Sequence, residues 1–409
     1  MVTVGPVVAR KVDGRSMQQA NRALVLALIR HDPTLSRASI ARQTALSPAA
    51  VSGIVDHLIR EGFVREEAAA TTGAVGRRPV RLVFNPGARV TLGIAIDMRQ
   101  VTAGLVDLGG GMRVVQRAAV APEAGPAAIV DTVAQVARRA LRGVDSRDVL
   151  GVGVAVSGLV RWPDGVVLFS PNLGWRDAPI RAMLEERLGR PVLVDNEVRA
   201  LALAEHSYGA ARGARTVVVI DAAYGVGGAV IIDGALYRGV HGAAAEVGHN
   251  IVEPDGAVCG CGNRGCLETV ASASGLIARA TDALDAGRAS VLTADAPGGL
   301  TLDHIVAAAR AGDSLACELL GRAATYLGLA VAHAIDNWDP ERVALSGSVA
   351  RATGHLLDDA LVGGQRAILD MGRARVPVVH ATLGADAKVI GAATLAAADY
   401  LDGPLHASS

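Results

Sequence analysis

Residues 246–268 read EVGHNIVEPDGAVCGCGNRGCLE and hold three of the chain's four cysteines, a histidine and two flanking carboxylates. Cys259, Cys261 and Cys266, with His249 ten residues before the first of them, offer three thiolates and one imidazole, the donor set of a tetrahedral zinc site. The glycines at 260, 262 and 265 allow the sharp turns that let three sulfurs meet. One structural zinc per chain is the expectation. A free-thiol or redox cluster would use the same cysteines and stays open here. Cys317 stands apart in a helical pattern and is expected to be a small core residue. Glu246 and Glu268 would be held beside such a metal loop. Carboxylates next to an imidazole donor suit a polyol, whose hydroxyls each give and accept a hydrogen bond. Support of the metal ligands alone is the other use of the same pair.

Outward from this loop the chain alternates strands and helices. Residues 217–221 form an apolar strand ending in Asp221, and a glycine-bearing turn, a second strand at 228–232 and the hairpin pair Asp233-Gly234 follow. An earlier segment has the same order: strands at 90–97, 101–107 and 112–119, a helix over about 126–141, and a strand at 149–156 ending in Ser157-Gly158. Aligning Asp97 with Asp221 superposes the two, which predicts a duplicated lobe with a cleft between, where the strand ends of α/β proteins place ligands. Between the halves lie a strand leading to Asp195-Asn196-Glu197 and the polar loop Ser170-Pro171-Asn172-Leu173-Gly174-Trp175. Helices are expected through much of 268–336 and again over 387–400.

The first 85 residues differ in character. They hold twelve Lys and Arg against six Asp and Glu, a charge of +6 that an acidic remainder cancels to a net of zero. A basic head on an acidic body directs nucleic acid to the head. After an arm at 1–15, a helix is expected at 17–30, a second capped by Ser36 and running to Gln43, and a third begun by Ser47 as N-cap with Pro48 in the first turn. The spacing of Val51, Ile54, Val55, Leu58 and Ile59 makes its buried stripe. Two helices joined by a short turn, the second small-faced, have a helix-turn-helix layout. Its outward residues would be Ala49, Ala50, Ser52, Gly53, Asp56 and His57, the small ones letting the helix approach base edges, and Ser47, Ala49, Ala50, Ser52, Gly53 and His57 are the expected DNA contacts. Strands at 64–67 and 80–84 around a tip with Arg77 and Arg78 complete a winged variant, in which the paired arginines grip phosphate or enter a minor groove. An ordinary three-helix bundle shares the stripe. Dimerisation, as a homodimer or homotetramer, follows from the two half-sites that such modules read. No run of 18 apolar residues and no N-terminal signal core occur in the sequence, so a cytoplasmic protein without a membrane partner is expected.

With these residues in hand the chain resembles the ROK family of repressors, open reading frames and sugar kinases, in its transcriptional-regulator branch. The resemblance rests on Glu246-x-x-His249, on Cys259-x-Cys261-Gly-x-x-Gly-Cys266-Leu-Glu268 and on the SPNLGW loop. It implies an N-terminal winged helix-turn-helix at 16–85, then an α/β two-lobed, actin/hexokinase-like sugar-kinase fold of ribonuclease-H-like lobes. The first lobe would take 90–206 with 386–402, and the second 207–385, with the metal and sugar loop and the dimerisation surface. Sugar contacts in the family match Asn172, Asn196, Glu197, Glu246, His249 and Glu268. Kinases of the family place Asp-x-Gly-Gly-Thr after the first strand to cradle phosphates. Here that stretch is Asp97-Met98-Arg99-Gln100, the second phosphate loop is Ala223-Tyr224-Gly225 where Gly-Thr-Gly is usual, and Glu197 stands where the catalytic aspartate would. The expected protein is therefore a repressor answering to a sugar or sugar derivative and binding an operator duplex, with no enzymatic activity. An active ATP-dependent sugar kinase with a regulatory head is the alternative, and a regulator controlled by a protein partner a third.

Overall fold

The computed structural model describes residues 14–68, 80–293, 298–367 and 376–401. The head comprises α1 (Gly14–His31), α2 (Arg37–Thr44), α3 (Pro48–Arg60), β1 (Val64–Ala68) and β2 (Val80–Phe84). Ser36 and Ser39 form a reciprocal capping box that starts α2, and Ala45 at φ 57° ends it, so that Ser47 can begin α3 after only three residues. Val51, Val55 and Leu58 are buried, as their spacing predicts. β1 and β2 pair antiparallel with Val64 opposite Phe84, and Glu67 receives Arg65 at 2.8 Å and Arg81 at 2.7 Å. The tip that carries Arg77 and Arg78 lies outside the described residues.

The body continues with β3 (Val90–Ile96), β4 (Gln100–Asp107), β5 (Met112–Ala119), α4 (Gly125–Ala140), β6 (Val149–Val156), β7 (Leu159–Arg161), β8 (Val166–Ser170), β9 (Trp175–Ala178), α5 (Ile180–Leu188), β10 (Val192–Asn196) and α6 (Glu197–Tyr208). Its second half runs through β11 (Val217–Ala222), β12 (Val226–Ile232), β13 (Ala235–Tyr237), α7 (Glu268–Ala271), α8 (Ala273–Asp285), α9 (Leu302–Arg310), α10 (Ser314–Trp338), β14 (Arg342–Ser346), α11 (Ser348–Ala367), β15 (Val378–His380) and α12 (Ala387–Leu401). The two five-stranded sheets have one topology, with orders β10-β6-β3-β4-β5 and β15-β14-β11-β12-β13. In each, a strand meets an antiparallel meander on one side and two parallel strands on the other. This is the duplication that the alignment of Asp97 with Asp221 predicts. β11 is buried throughout and β3 nearly so, because helices cover both faces of each sheet.

Two helices separate the sheets. α12 lies on β3 and β6, α6 lies on β11 and β12, and the two pack against each other. Glycines permit the approach: a Cβ at Gly93, Gly153 or Gly391 would overlap the carbonyl oxygens of Val389, Ala392 and Ala200 respectively. The far end of α12 enters the head, where Ala397 and Leu401 share a core with Val25, Val51 and Phe63. Arg22 joins the two parts there, stacked 5.5 Å over Phe63 and 5.7 Å over Tyr400 while paired to Glu61 at 3.1 Å.

Some expectations change. β7, β8 and β9 form a separate three-stranded sheet that was not expected; the polar loop at 170–175 remains a loop, the tight β8–β9 connection, with Trp175 buried in the first-lobe core. Cys317 is exposed and not a core residue: α10 buries Leu315, Ala316, Leu319 and Leu320 and turns position 317 outward. α10 is long and apolar enough to cross a membrane by composition, but 61% of that window is buried inside the fold, as in an interior helix.

Candidate functional site

The loop after β13 brings His249, Cys259, Cys261 and Cys266 together, with one ligand atom from each, all within 4.8 Å of one another. Cys261 Sγ lies 3.7 Å from Cys266 Sγ, and Cys259 Sγ 3.7 Å from His249 Nδ1. The backbone fixes this knot. Val252 and Glu253 N–H both donate to the Gly265 carbonyl, Cys259 N–H donates to Asn263, and Leu267 N–H donates to Asn250. Gly265 adopts φ +66° against the carbonyl of Glu253, where a side chain has no room. Burial pushes the thiols of Cys259 and Cys266 up from their ordinary range, so a bound cation is what would hold them as thiolates. Glu253 anchors the loop to α8 and α10 through Arg279 and Arg322, each at 2.8 Å.

All six residues expected to contact sugar line one cleft of about 280 Å³ between the lobes. Asn172 comes from the β8–β9 turn, Asn196 and Glu197 from the start of α6, Glu246 and His249 from the loop after β13, and Glu268 from the start of α7. Their side chains differ in freedom. Asn196 is committed to the fold: its Oδ1 caps α6 by accepting from Val198 and Arg199 N–H, and its Nδ2 donates to Gly158 at 2.9 Å. Glu268 Oε2 accepts from Val226 N–H at 3.0 Å, which leaves Oε1 toward Cys259. Burial pushes the Glu246 carboxyl up, against the opposing pull of Arg199 and His249. Arg199, 1% exposed, donates to Asp195 at 3.0 Å and to the Gly242 carbonyl, and Arg238 reaches the other oxygen of Asp195 at 2.8 Å. That network ties the segment leading into Glu246 to α6. Its only sequence signal is the i, i+4 placement of Asp195 and Arg199 in an apolar run.

The other half of the cleft holds Asp97, Met98, Asp221, Tyr224 and Lys388. Lys388, in the first turn of α12, places Nζ 2.6 Å from Glu197 Oε2 and 3.3 Å from Asp221 Oδ2. Burial alone would push its ammonium down, but the charges of Glu197 and Asp221 outweigh it and the group is held above its ordinary range. No motif announces this residue; it is the one charged residue in the N-terminal half of a helix otherwise apolar there.

On the head, Ala49, Ala50, Gly53 and His57 form one exposed face of α3 above Gln18, Asn21 and Arg22 of α1. Ser47 is exposed but caps α3, accepting from Ala50 N–H at 3.2 Å. Ser52 is half-buried at the edge, with its carbonyl accepting from Arg37. Arg37 also pairs with the exposed carboxylate of Asp56 at 2.7 Å.

Residues 21–65 match the winged helix-turn-helix DNA-binding family. The chain is 30% identical over 395 residues to the N-acetylglucosamine repressor of Escherichia coli O6:H1, spanning 95% of both chains. It is 34% identical to the glucokinase of Streptomyces coelicolor, covering 97% of that enzyme but 75% of this chain. The solved structure of a ROK family transcriptional regulator, a homologue of the E. coli MLC protein, superposes with a TM-score of 0.78 at 27% identity, over 94% of this chain and 97% of that one. Residues 91–399 match the ROK family itself, and with a winged helix-turn-helix in front of that match the chain belongs to the ROK family.

Proposed function

We propose that this chain is a sugar-responsive, DNA-binding transcriptional repressor whose kinase-like body binds a carbohydrate without phosphorylating it. The observation that carries the reading is α12: its first turn meets Glu197 in the cleft and its last turn is part of the head's core. A ligand that prefers one arrangement of Glu197 thereby biases the placement of α3 and the wing. Asn172, Glu197, Glu246, His249 and Glu268 recognise the sugar hydroxyls, and Asn196 holds the start of α6 that presents Glu197. The relatives support the same assignment, since a repressor matches 95% of the chain and a glucokinase 75% of it.

His249, Cys259, Cys261 and Cys266 hold one structural zinc. Tetrahedral zinc with Zn–S bonds of about 2.3 Å sets its sulfurs about 3.8 Å apart, and the 3.7 Å between Cys261 and Cys266 is of that size. The ion's part is to neutralise the buried thiolates and keep Glu246 and Glu268 in place. Residues 16–85 act as the DNA-binding unit, with Ala49, Ala50, Ser52, Gly53 and His57 toward base edges and Arg77 and Arg78 on the backbone. The functional protein is cytoplasmic and a homodimer or homotetramer, so that two heads meet two half-sites.

Gel shifts on the chain's own upstream DNA, with and without a monosaccharide panel, test this. A retarded band that one sugar weakens is expected, and no band at moderate salt contradicts the assignment. A sugar kinase is the second reading, favoured by the 34% identity to a glucokinase. Sugar-dependent ADP release above that of a Glu197→Ala control would establish it.

A further inference from the structure

Among the residues that line the cleft, Asp97, Glu197, Asp221, Glu246 and Glu268 carry carboxylates and Lys388 is the one lysine or arginine. Its ammonium lies between Glu197, on α6, and Asp221, on β11, while its stem rises from α12 against the opposite sheet. The Lys388 side chain is 26% exposed and that of Asp221 is 6% exposed, so the pair is largely withdrawn from water. Uncompensated, carboxylates that close and that buried would hold each other's charge off or recruit a cation. A divalent ion bridging Glu197 and Asp221 would need oxygens at about 2.0–2.1 Å in an octahedral shell, and the space for it is where Nζ sits. Met98 and Tyr224 line the same cleft as Lys388, and Tyr224 is exposed.

We infer that Lys388 is the built-in cation of this cleft, occupying the place of a nucleotide-bound divalent ion, and that it thereby sets the specificity of the site for a carbohydrate alone. The residues present do not fit a metal–nucleotide: binding one requires displacement of an ammonium that is covalently part of the protein and is neutralised in place. Lys388 is a positioning residue, since it acts by holding Glu197 and Asp221. The inference rests on the sugar-responsive reading for its account of what the cleft binds, but not for its test.

Zinc-loaded, full-length protein is titrated with Mn²⁺, and the free ion is followed by electron paramagnetic resonance. Wild type is expected to take up no more Mn²⁺ than Asp221→Asn. Removing the positive charge in Lys388→Met should raise Mn²⁺ affinity by at least about a hundredfold, the scale of one unit charge a few ångströms from the ion in a partly screened site. Lys388→Met combined with Asp221→Asn should lose that gain, and Lys388→Arg should behave as wild type. Mn²⁺ uptake by wild type equal to that of Lys388→Met, or gain that persists without Asp221, overturns the inference. Should Lys388→Met not fold, Lys388→Gln and the wild-type titration decide by the same criteria. A negative result leaves the sugar response of DNA binding intact, and an absent sugar response leaves the Mn²⁺ result standing, so the two failures are distinguishable.

Discussion

Replacement of Gly391 by alanine perturbs the cleft from a distance that the structure lets one work out. The new Cβ would fall well inside 3.0 Å of the Ala200 carbonyl oxygen, a separation that real Cβ atoms essentially never show, and the obstacle is backbone. The crossing of α12 and α6 must then open by about 1 Å or more, and overpacking of this kind costs about 1–3 kcal/mol. Gly391 is three residues beyond Lys388 and Ala200 three beyond Glu197, so the same opening draws apart an ion pair of 2.6 Å. Two changes are expected together: a fall in the melting midpoint of about 2–4 °C per kcal/mol, and weaker sugar binding. Gly321→Ala on α10 is the matched control. Its Cβ meets nothing within 4 Å, and a helix interior gains about 0.5–1 kcal/mol from the exchange. Thermal melts monitored by circular dichroism, followed by calorimetric sugar titration, measure both. A Gly391→Ala protein that melts with wild type and binds sugar equally well would refute the packing of α12 on α6 as the determinant of the cleft.

Glu246→Gln should leave the fold intact and weaken sugar binding by about 1.5–3 kcal/mol, roughly ten- to a hundredfold in Kd, measured by calorimetry. Cys266→Ser, at a fully buried thiol, should bring the proposed zinc from one per chain to near none by elemental analysis, and sugar binding should fall with it. Glu253→Gln should cost about 1–3 kcal/mol, because two arginines lose a carboxylate. Burial pulls the Glu253 carboxyl up, but hydrogen bonds from Arg322 and Arg279 outweigh it and hold the group below its ordinary 4.5. Its contribution is therefore complete above 4.5 and lost as pH falls through the lowered folded-state value, so the melting gap between wild type and Glu253→Gln should narrow on acidification. Arg77→Ala with Arg78→Ala should weaken DNA binding across sequences and reduce the salt slope of log K by about 1 for each phosphate that the protein no longer neutralises, as read by fluorescence anisotropy.

What the sequence disclosed depended on whether a residue's role repeats along the chain. Val51, Val55 and Leu58 mark α3 because a helix buries every third or fourth position. Ser36 and Ser47 mark helix starts because an N-cap needs a short acceptor. The duplicated sheets were legible because strands covered on both faces read as unbroken apolar runs ending in Asp97 and Asp221. β7, β8 and β9 gave no such signal: they are three to five residues long and interrupted by Pro163, Gly165 and Gly174. The outward turn of Cys317 escaped because α10 is apolar around much of its circumference, so pattern alone does not say which face is covered. In the candidate site, His249, Cys259, Cys261 and Cys266 and the two flanking glutamates are close in sequence, so their clustering was legible. Lys388 is 191 residues from Glu197 and 167 from Asp221, and only the packing of α12 against α6 brings the three together.

The most direct measurement is an anisotropy titration of the chain's own upstream duplex with full-length protein, repeated across a panel of unphosphorylated and phosphorylated monosaccharides. At least one sugar should shift the DNA affinity, Glu246→Gln should abolish that shift while binding DNA normally, and no ADP should form when ATP and magnesium are added. DNA affinity indifferent to every sugar that the cleft demonstrably binds, together with turnover of one of them by ATP, would contradict the account.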